Sequence, residues 1–189
     1  MDLDKIPAGD DPPDIINAVI EIPSGDSFAK YEFDKTSGAL FVDRFLYTAM
    51  RYPENYGFVP GTLADDGDPV DVLVLSPASV YPGTVIRCRP IGVLMMEDEK
   101  GPDEKILAVP IERLHPSHKA IARYSDLAPN ILHQIVHFFE HYKDLEPGKW
   151  VKIGEWLGPE EARGIIGKAM ARYGDHPPAD RPAAAGDTA

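Results

Sequence analysis

The chain alternates between short apolar runs with strand-like periodicity and two longer segments with helical periodicity. Side chains of a strand point alternately to its two faces, so an apolar period of two predicts strands. The predicted strands are 15–22, 28–33, 39–46, 71–75, 85–96, 105–111 and 150–156. A Ser37-Gly38 turn joins the second and third of these, which predicts a β-hairpin. Pro90 and Pro110 interrupt two later strands and indicate an edge or a bulge at each.

Two segments carry apolar residues at the spacing of an amphipathic helix. Residues 128–143 have Pro129 in the first turn, followed by an apolar residue at every third or fourth position. Residues 158–174 begin with proline and glutamate and end in Gly174, which is typical of a capped helix. Residues 51–63 are too irregular for a helix and too aromatic for a flexible linker, so they predict an ordered loop.

The length and composition of the chain fit one domain. With 189 residues and 43% hydrophobic content, it is long enough for one well-buried core and short for two. We expect an extended N-terminal arm at 1–14, a single domain at 15–174, and a disordered tail rich in proline and alanine at 175–189. The lone cysteine, Cys88, excludes an intramolecular disulfide and predicts a packed thiol in a reducing compartment.

The charge balance excludes some classes of partner. The chain has 31 acidic and 19 basic residues, a net charge of -12, which argues against a nucleic-acid or anionic-membrane partner. The first residues show neither the basic start nor the apolar stretch of a secretion signal, and no apolar run approaches membrane-spanning length. The sequence therefore predicts a cytoplasmic protein whose basic side chains serve a specific anion.

Residues 65–75, DDGDPVDVLVL, place four aspartates at the start of an apolar run. If strand alternation holds through this stretch, Asp66 and Asp68 point the same way, and Asp71 begins the apolar strand. Like charges this close repel unless a cation neutralises them, and an all-oxygen cluster suits magnesium. A solvated turn is the alternative interpretation, since Asp and Gly favour turns. An EF-hand is excluded because Asp71 stands where that loop requires glycine.

Two other polar clusters also have two interpretations. Residues 97–104 place five acids around a Gly-Pro turn, which is either a solvated hairpin tip or a second group of metal ligands. His133, His137 and His141 recur every four residues along a predicted helix. Such a stripe binds a transition metal or, more often, lies at the surface or in a subunit contact. Glu21 lies inside an apolar strand, where a carboxylate needs a specific reason.

Four stretches of the chain resemble the family I soluble inorganic pyrophosphatases. The segment from Asp66 to Asp71 is similar to the DxDPxD motif of that family. The other three stretches are RYPENYGFVP at 51–60, the acidic pattern from Asp98 to Lys105, and HFFEHYKDLEPGKWV at 137–151. The likeness extends over roughly residues 15–173. It implies an α+β, mainly β fold, namely a five-stranded OB-like closed β-barrel with flanking α-helices and a magnesium site at its opening.

The resemblance also implies a role for individual side chains. The ligands of several magnesium ions would be Asp66, Asp71, Asp103, Asp98 and Glu21. The side chains that hold the phosphate oxygens would be Lys30, Arg44, Tyr56, Lys105, Tyr142 and Lys143. Asp68 matches the general base of the family, and Tyr56 would lie beside the attacking water. The ancillary positions would be Glu32, Tyr52 and Glu99.

The activity implied by the resemblance is magnesium-dependent hydrolysis of pyrophosphate by a metal-activated water, with no covalent enzyme intermediate. The bacterial members of the family suggest a homohexamer, with the face of His137 and His141 in a subunit contact. An OB-type barrel that binds an oligonucleotide or a sugar is disfavoured by the acidic charge. An inactive metal- and phosphate-binding relative would be expected to lack a base or a ligand, and none is missing. A magnesium-dependent hydrolase of organic phosphate esters remains an alternative, separable by its substrates.

Overall fold

The computed structural model describes residues 1–25 and 28–175, and in these ranges the chain forms nine strands and two α-helices. The strands are β1 (Ile16–Ile22), β2 (Ala29–Phe33), β3 (Leu40–Phe45), β4 (Asn55–Phe58), β5 (Asp71–Val74), β6 (Val85–Asp98), β7 (Gly101–Pro102), β8 (Lys105–Pro110) and β9 (Val151–Leu157). The α-helices are α1 (Pro129–His141) and α2 (Pro159–Asp175), and 3-10 turns lie at Leu3–Lys5, Pro116–Ala120 and Tyr124–Asp126. A mainly β fold with two flanking helices is thus confirmed.

Five strands of the main sheet pair in a ring. Strand β1 pairs with β4 and β4 with β5, both antiparallel, while β5 runs parallel to β8. Strand β8 pairs antiparallel with β6, and β6 pairs antiparallel with β1, the strand at which the ring began. Strands β7 and β9 add to β6, and the predicted hairpin of β2 and β3 forms a separate two-stranded sheet. The residues discussed below as the candidate site lie where β1, β4 and β5 meet this hairpin.

The apolar run of β5 is buried on both of its faces. Val72 and Val74 belong to a core cluster that contains the buried side chains of α2, among them Ile166. Leu73 belongs to the other cluster, which contains Phe138 and the remaining buried side chains of α1. A strand covered on both faces needs apolar residues at every position, which explains its uninterrupted valines and leucines. Each such side chain contributes about 1.5–3 kcal/mol to folding through burial.

The long strand β6 lies within the sheet, so the alternative that Pro90 marks an edge is wrong. The pairing with β8 shifts register between Pro90 and Gly92, which confirms the alternative of a bulge. The extra residue, Ile91, is fully buried. Pro110 is the last residue of β8, where a missing amide hydrogen does little harm. Cys88 is fully buried in β6, as predicted, and burial raises the pKa of its thiol.

The prediction of a loop throughout 51–63 is wrong in its centre, where β4 lies. All four residues of β4 are buried, and the strand pairs with β1 on one side and β5 on the other. Gly57, which indicated a loop, is required by this pairing because a Cβ there would overlap the carbonyl oxygen of Val19. A close approach of two backbones, and not a turn, accounts for this glycine.

The predicted N-terminal arm is part of the structure, whereas only the first residue of the predicted tail, Asp175, is. The segment 1–14 contains a 3-10 turn at Leu3–Lys5, and the Asn17 side chain donates a hydrogen bond to the carbonyl of Pro7. Asp175 is the last residue of α2, and the rest of the predicted tail lies outside the described residues. In the described ranges, the helices are all too short or too polar to cross a membrane.

The burial of Glu54, which lies next to β4, can be tested through the pH dependence of stability. Burial raises the pKa of Glu54 to about 7, so the folded state holds its proton more tightly than the unfolded state. The resulting stability is fully present below about pH 4.5 and is lost as the pH rises through about 7. At pH 8.5 we expect Glu54→Gln to be more stable than the wild type by about 1–2 kcal/mol, because the partial exposure of Glu54 weakens the effect of burial. At pH 4.5 we expect the two proteins to be equally stable.

Urea denaturation at the two pH values measures this difference. The control is Glu155→Gln, which changes an exposed carboxylate on β9 and, as a surface substitution, should leave the stability close to that of the wild type. A stability difference between Glu54→Gln and the wild type that is the same at both pH values would contradict the assignment.

Candidate active site

A cavity of about 180 Å³ opens where β1, β4 and β5 meet the separate hairpin. Nearly all of the residues that the resemblance implied line this one cavity. They are Glu21, Lys30, Glu32, Arg44, Tyr52, Tyr56, Asp66, Asp68, Asp71, Asp98, Glu99, Asp103, Tyr142 and Lys143. Lys105, the remaining one, is buried directly against Asp71 and Asp103. Residues spread over 123 positions of the sequence, from Glu21 to Lys143, therefore come together, although their individual roles stay predictions.

Several of these side chains reach the cavity from the strands that carry them. In the hairpin, Lys30 and Arg44 are paired across β2 and β3, so both cations extend from the same part of the hairpin. In the main sheet, the parallel pairing aligns Val72 with Ile106, which places Asp71 next to Lys105. Because β5 and β8 begin at the same edge, their first residues both point into the site. The sheet order, and not proximity in sequence, assembles the group.

The loop before β5 is a turn and not an extension of the strand. Gly67 has a φ of 91°, and the backbone amide of Asp68 donates a 2.9 Å hydrogen bond to the Asp66 side chain. Asp66 and Asp68 do line the same cavity, as expected, but strand alternation is the wrong reason, because regular pairing starts only at Asp71. Asp66 and Asp68 lie in a turn and also line the cavity. The turn interpretation of this stretch is therefore compatible with the interpretation as a magnesium site.

The Lys105 ammonium lies between two carboxylates. Its Nζ is 2.5 Å from Oδ2 of Asp71 and also bonds Asp103, and only 3% of the side chain is exposed. Burial alone lowers the pKa of Lys105, but the charges of Asp103 and Asp71 outweigh burial and hold that pKa well above its usual value. Burial raises the pKa of Asp71, and the Lys105 charge opposes this. Lys105 therefore stays charged and neutralises part of the acidic cluster.

A second buried ion pair lies across the cavity. The Nζ of Lys143 is 2.7 Å from Oδ2 of Asp98 and 3.3 Å from Oε2 of Glu99. Lys149 lies 3.0 Å from Oε1 of Glu99. Burial alone would raise the pKa of Glu99, but its own backbone amide and the Lys149 and Lys143 ammonium groups outweigh burial and lower that pKa to about 2. Glu99 therefore remains ionised and holds two lysines at the cavity.

Burial favours the protonated forms of the tyrosines and of Glu21. Burial raises the pKa of Tyr52 to about 12 and that of Tyr56 well above its usual value, so both phenols remain hydrogen-bond donors. Burial also raises the pKa of Glu21 to about 8, although its Oε1 accepts a 2.8 Å hydrogen bond from the Phe33 amide. A carboxylate with so high a pKa gains most from a nearby cation, because a cation makes the charged form favourable.

Four charged residues that sequence reasoning missed also line the cavity, namely Lys35, Asp43, Lys100 and Lys149. Lys149 bonds Glu99, Lys35 lies 2.5 Å from Oδ1 of Asp68, and Asp43 lies 3.0 Å from the Lys30 ammonium. The three lysines lie in loops or turns and Asp43 lies at an exposed position of β3, where charged side chains ordinarily face solvent, so the sequence pattern carries no signal for them. Only the fold shows that these charges face the others.

The donor atoms fit a hard divalent cation. Five carboxylates from β1, β5, β6 and two loops share one cavity, and oxygen is the donor that magnesium requires. Burial and the neighbouring carboxylates raise the pKa of Asp66, which a bound cation would relieve. Within residues 1–25 and 28–175, however, no three such groups converge in the arrangement of a metal site. The Lys105 ammonium occupies the position between Asp71 and Asp103, so a metal ion would compete with it for their oxygens.

The histidine stripe lies on the outside of α1, away from the cavity. The rings of His137 and His141 are 4.6 Å apart, and Nδ1 of His141 is 2.8 Å from a carboxylate oxygen of Asp144. His133 and His137 are exposed. The surface interpretation of this stripe is therefore confirmed, and its part in a subunit contact stays a prediction.

The sequence and the fold of this chain are similar to those of known proteins. Residues 18–174 match the family model described as Inorganic pyrophosphatase. An inorganic pyrophosphatase of Caulobacter vibrioides is 58% identical over 175 residues, which cover 93% of this chain and 99% of the relative. The crystal structure of an inorganic phosphatase from Anaplasma phagocytophilum superposes with a TM-score of 0.89 at 50% identity, covering 90% of this chain and 99% of that one. An inorganic pyrophosphatase from Helicobacter pylori gives a TM-score of 0.86 at 50% identity, with the same two coverages.

Proposed function

This chain belongs to the family I inorganic pyrophosphatases and hydrolyses inorganic pyrophosphate, and we propose that it does so with magnesium ions and without a covalent enzyme intermediate. The observation that carries the proposal is the cavity in which nine carboxylates lie together with lysine, arginine and tyrosine side chains. Carboxylates suit metal ions, whereas lysine, arginine and tyrosine suit phosphate oxygens. A substrate that is itself a metal-bound polyphosphate uses both sets at once.

Magnesium would be held by Asp66, Asp71, Asp103, Asp98 and Glu21. When bound, magnesium neutralises charge on pyrophosphate and lowers the pKa of a coordinated water. The burial of Glu21 and Asp71 supports this assignment, because each carboxyl is costly to ionise without a cation nearby. The Lys105 ammonium has three donors, so it would then donate to the substrate in place of part of its present bonding to Asp71 and Asp103.

Asp68 would act as the general base. Its side chain is 43% exposed at the cavity and is bonded to Lys35, so it remains open to a water molecule. The neighbouring turn fixes its backbone through the hydrogen bond to Asp66. A carboxylate in this position takes or orients one proton of the attacking water, and the water attacks phosphorus directly. No covalent intermediate is needed in such a displacement.

The cations and phenols would hold the phosphate oxygens. Lys30 and Arg44 approach from the hairpin, while Lys143 and Tyr142 approach from the end of α1. Burial raises the pKa of Tyr142 well above its usual value, so its hydroxyl donates rather than repels. Positioned donors of this kind stabilise the charge that develops on the leaving phosphate. Tyr56 would donate beside the attacked phosphorus.

The finer points of architecture and cellular context are also proposals. The ring of β1, β4, β5, β8 and β6 supports a five-stranded OB-like barrel. The exposed face of His137 and His141 supports a subunit contact in a homohexamer, the arrangement suggested by bacterial members of the family. A reducing, cytoplasmic location is supported by the lone, buried Cys88.

Orthophosphate release tests the proposal. The protein is stripped of divalent ions with a chelator and assayed on pyrophosphate with and without added magnesium, beside a simple phosphate monoester. We expect release from pyrophosphate only when magnesium is present, and little from the monoester. Equal release with and without magnesium would contradict the metal requirement. Equal rates on the two substrates would instead indicate a general phosphohydrolase.

A further inference from the structure

A second cavity, of about 140 Å³, separates the acidic loop from α2; we define the acidic loop as residues 64–69. It is lined on the loop side by Asp65, Asp66 and Pro69 and on the helix side by Ile165 and Ala169, among others. Space between a loop and a helix means that their side chains are not in close contact there. Ala64, the first residue of the acidic loop, packs against the core cluster that contains Ala169, but apolar packing does not extend across this cavity to the rest of the loop.

Polar contacts bridge the gap at one end of this cavity. Nη1 of Arg172 on α2 donates a 2.6 Å hydrogen bond to the Leu63 carbonyl, and Nη2 lies 2.5 Å from Oδ1 of Asp65. The Leu63 amide donates a 3.0 Å hydrogen bond to the Ala169 carbonyl. One guanidinium thus bonds both a backbone atom before the acidic loop and a side chain within it.

We propose that Arg172 is a positioning residue, which holds the acidic loop so that Asp66 and Asp68 face the cavity. The inference rests on the proposed function, because it concerns the residues assigned there to magnesium and to the general base. Arg172 itself touches neither reacting atoms nor the first cavity. It acts 107 positions away in sequence, through its contact with Asp65.

The internal bonding of the acidic loop makes such remote positioning effective. The Ala64 amide donates a 2.7 Å hydrogen bond to the Asp68 carbonyl, and the Asp68 amide bonds the Asp66 carboxylate. The loop is therefore a small bonded unit, and holding Asp65 fixes the orientation of the whole unit. Its two ends are already anchored, since Thr62 is buried and its hydroxyl accepts a 2.9 Å hydrogen bond from the Val70 amide.

The shape of the guanidinium matters as much as its charge. Arginine presents several donors in a rigid planar fork, which reaches a carbonyl and a carboxylate simultaneously. A lysine at the same place supplies one point charge on a flexible chain and does not reproduce both contacts in fixed geometry. We therefore expect Arg172→Lys to recover only part of the wild-type behaviour.

The test compares the wild type with Arg172→Ala and Arg172→Lys. Hydrogen exchange of the amides at 64–68 reports the order of the acidic loop without any metal or substrate. Titration calorimetry with magnesium chloride alone, in the absence of substrate, reports the geometry of the carboxylates. For Arg172→Ala we expect about tenfold faster loop exchange and about tenfold weaker magnesium binding, chiefly because the part-buried, charge-assisted hydrogen bond to the Leu63 carbonyl is lost; the pair with the exposed Asp65 side chain contributes less. Arg172→Lys should fall between the two.

The matched control is Arg163→Ala on the same helix. Arg163 pairs with Asp14 and Glu160 and does not contact the acidic loop, so its loss should leave loop exchange and magnesium affinity unchanged. Wild-type exchange in Arg172→Ala, or an equal change in Arg163→Ala, overturns the proposal. If Arg172→Ala does not fold, Arg172→Lys is judged by the same criteria. A wild type that binds no magnesium refutes the proposed function instead, and loop exchange still decides the role of Arg172.

Discussion

Asp68→Asn is expected to reduce the rate of pyrophosphate hydrolysis by about 10²–10⁴-fold, the range that a positioned general base contributes. Asparagine has the same shape and can still accept a hydrogen bond, but it cannot take a proton at neutral pH. The substitution therefore removes the basic oxygen and little else. The measurement is orthophosphate release at saturating magnesium and pyrophosphate.

Two controls distinguish loss of the general base from general damage to the protein. They are the stability of Asp68→Asn and the activity of a second variant, Asp10→Asn. Asp68 is partly exposed, and its pair with Lys35 is a surface ion pair, so the folded state should lose little stability. Asp10→Asn removes an exposed partner of Arg87, far from the cavity lining, and should leave the rate unchanged. An Asp68→Asn protein that keeps more than about a tenth of the wild-type rate would assign the base to another group.

Lys105→Met is expected to destabilise the magnesium-free protein by about 3–5 kcal/mol, the cost of removing one partner from a buried ion pair. The side chain is 3% exposed and neutralises Asp71 and Asp103. Without its charge, two nearby carboxylates repel each other in a buried site. Urea denaturation at pH 8 and a fixed protein concentration measures the loss.

The pH and magnesium dependence of this deficit identify its cause. Without Lys105, the pKa of Asp71 in the folded state rises further above its unfolded value, so the folded state gains stability by binding a proton. That stability is present at low pH and is lost as the pH rises through the folded pKa, so the deficit should be smaller at pH 5 than at pH 8. Added magnesium should also reduce it, because Lys105 competes with the metal ion for the oxygens of Asp71 and Asp103, so the variant binds magnesium more tightly and gains more stability from it.

Lys119→Met serves as the control for Lys105→Met. Lys119 pairs with Glu112 at the surface, and both side chains are more than half exposed. Exposed pairs of this kind contribute little, so the variant should resemble the wild type at both pH values. If the stability deficit of Lys105→Met does not change with pH or with magnesium, the cause is lost packing and not lost charge.

The elements that the sequence predicted well are those whose pattern is local. Strand β5 was recognisable from its valines and leucines, and α1 from an apolar residue at every third or fourth position. Both periodicities depend on which neighbours in sequence share a face. Strand β4 was missed because Gly57 is explained by Val19, a residue 38 positions earlier that lies on another strand. Pro90 was ambiguous for the same reason, since only the partner strand distinguishes a bulge from an edge.

The candidate site shows the same division. The sequence by itself determined the kinds of chemistry present: many carboxylates near apolar strands, with lysine, arginine and tyrosine in motifs that resemble one family. Only the tertiary structure decided which charges meet. The parallel pairing of β5 with β8 brings Lys105 to Asp71, 34 positions away, and α2 brings Arg172 to Asp65. Residue patterns record which side chains are neighbours along the chain, whereas the burial and pKa of each group depend on neighbours that the fold supplies.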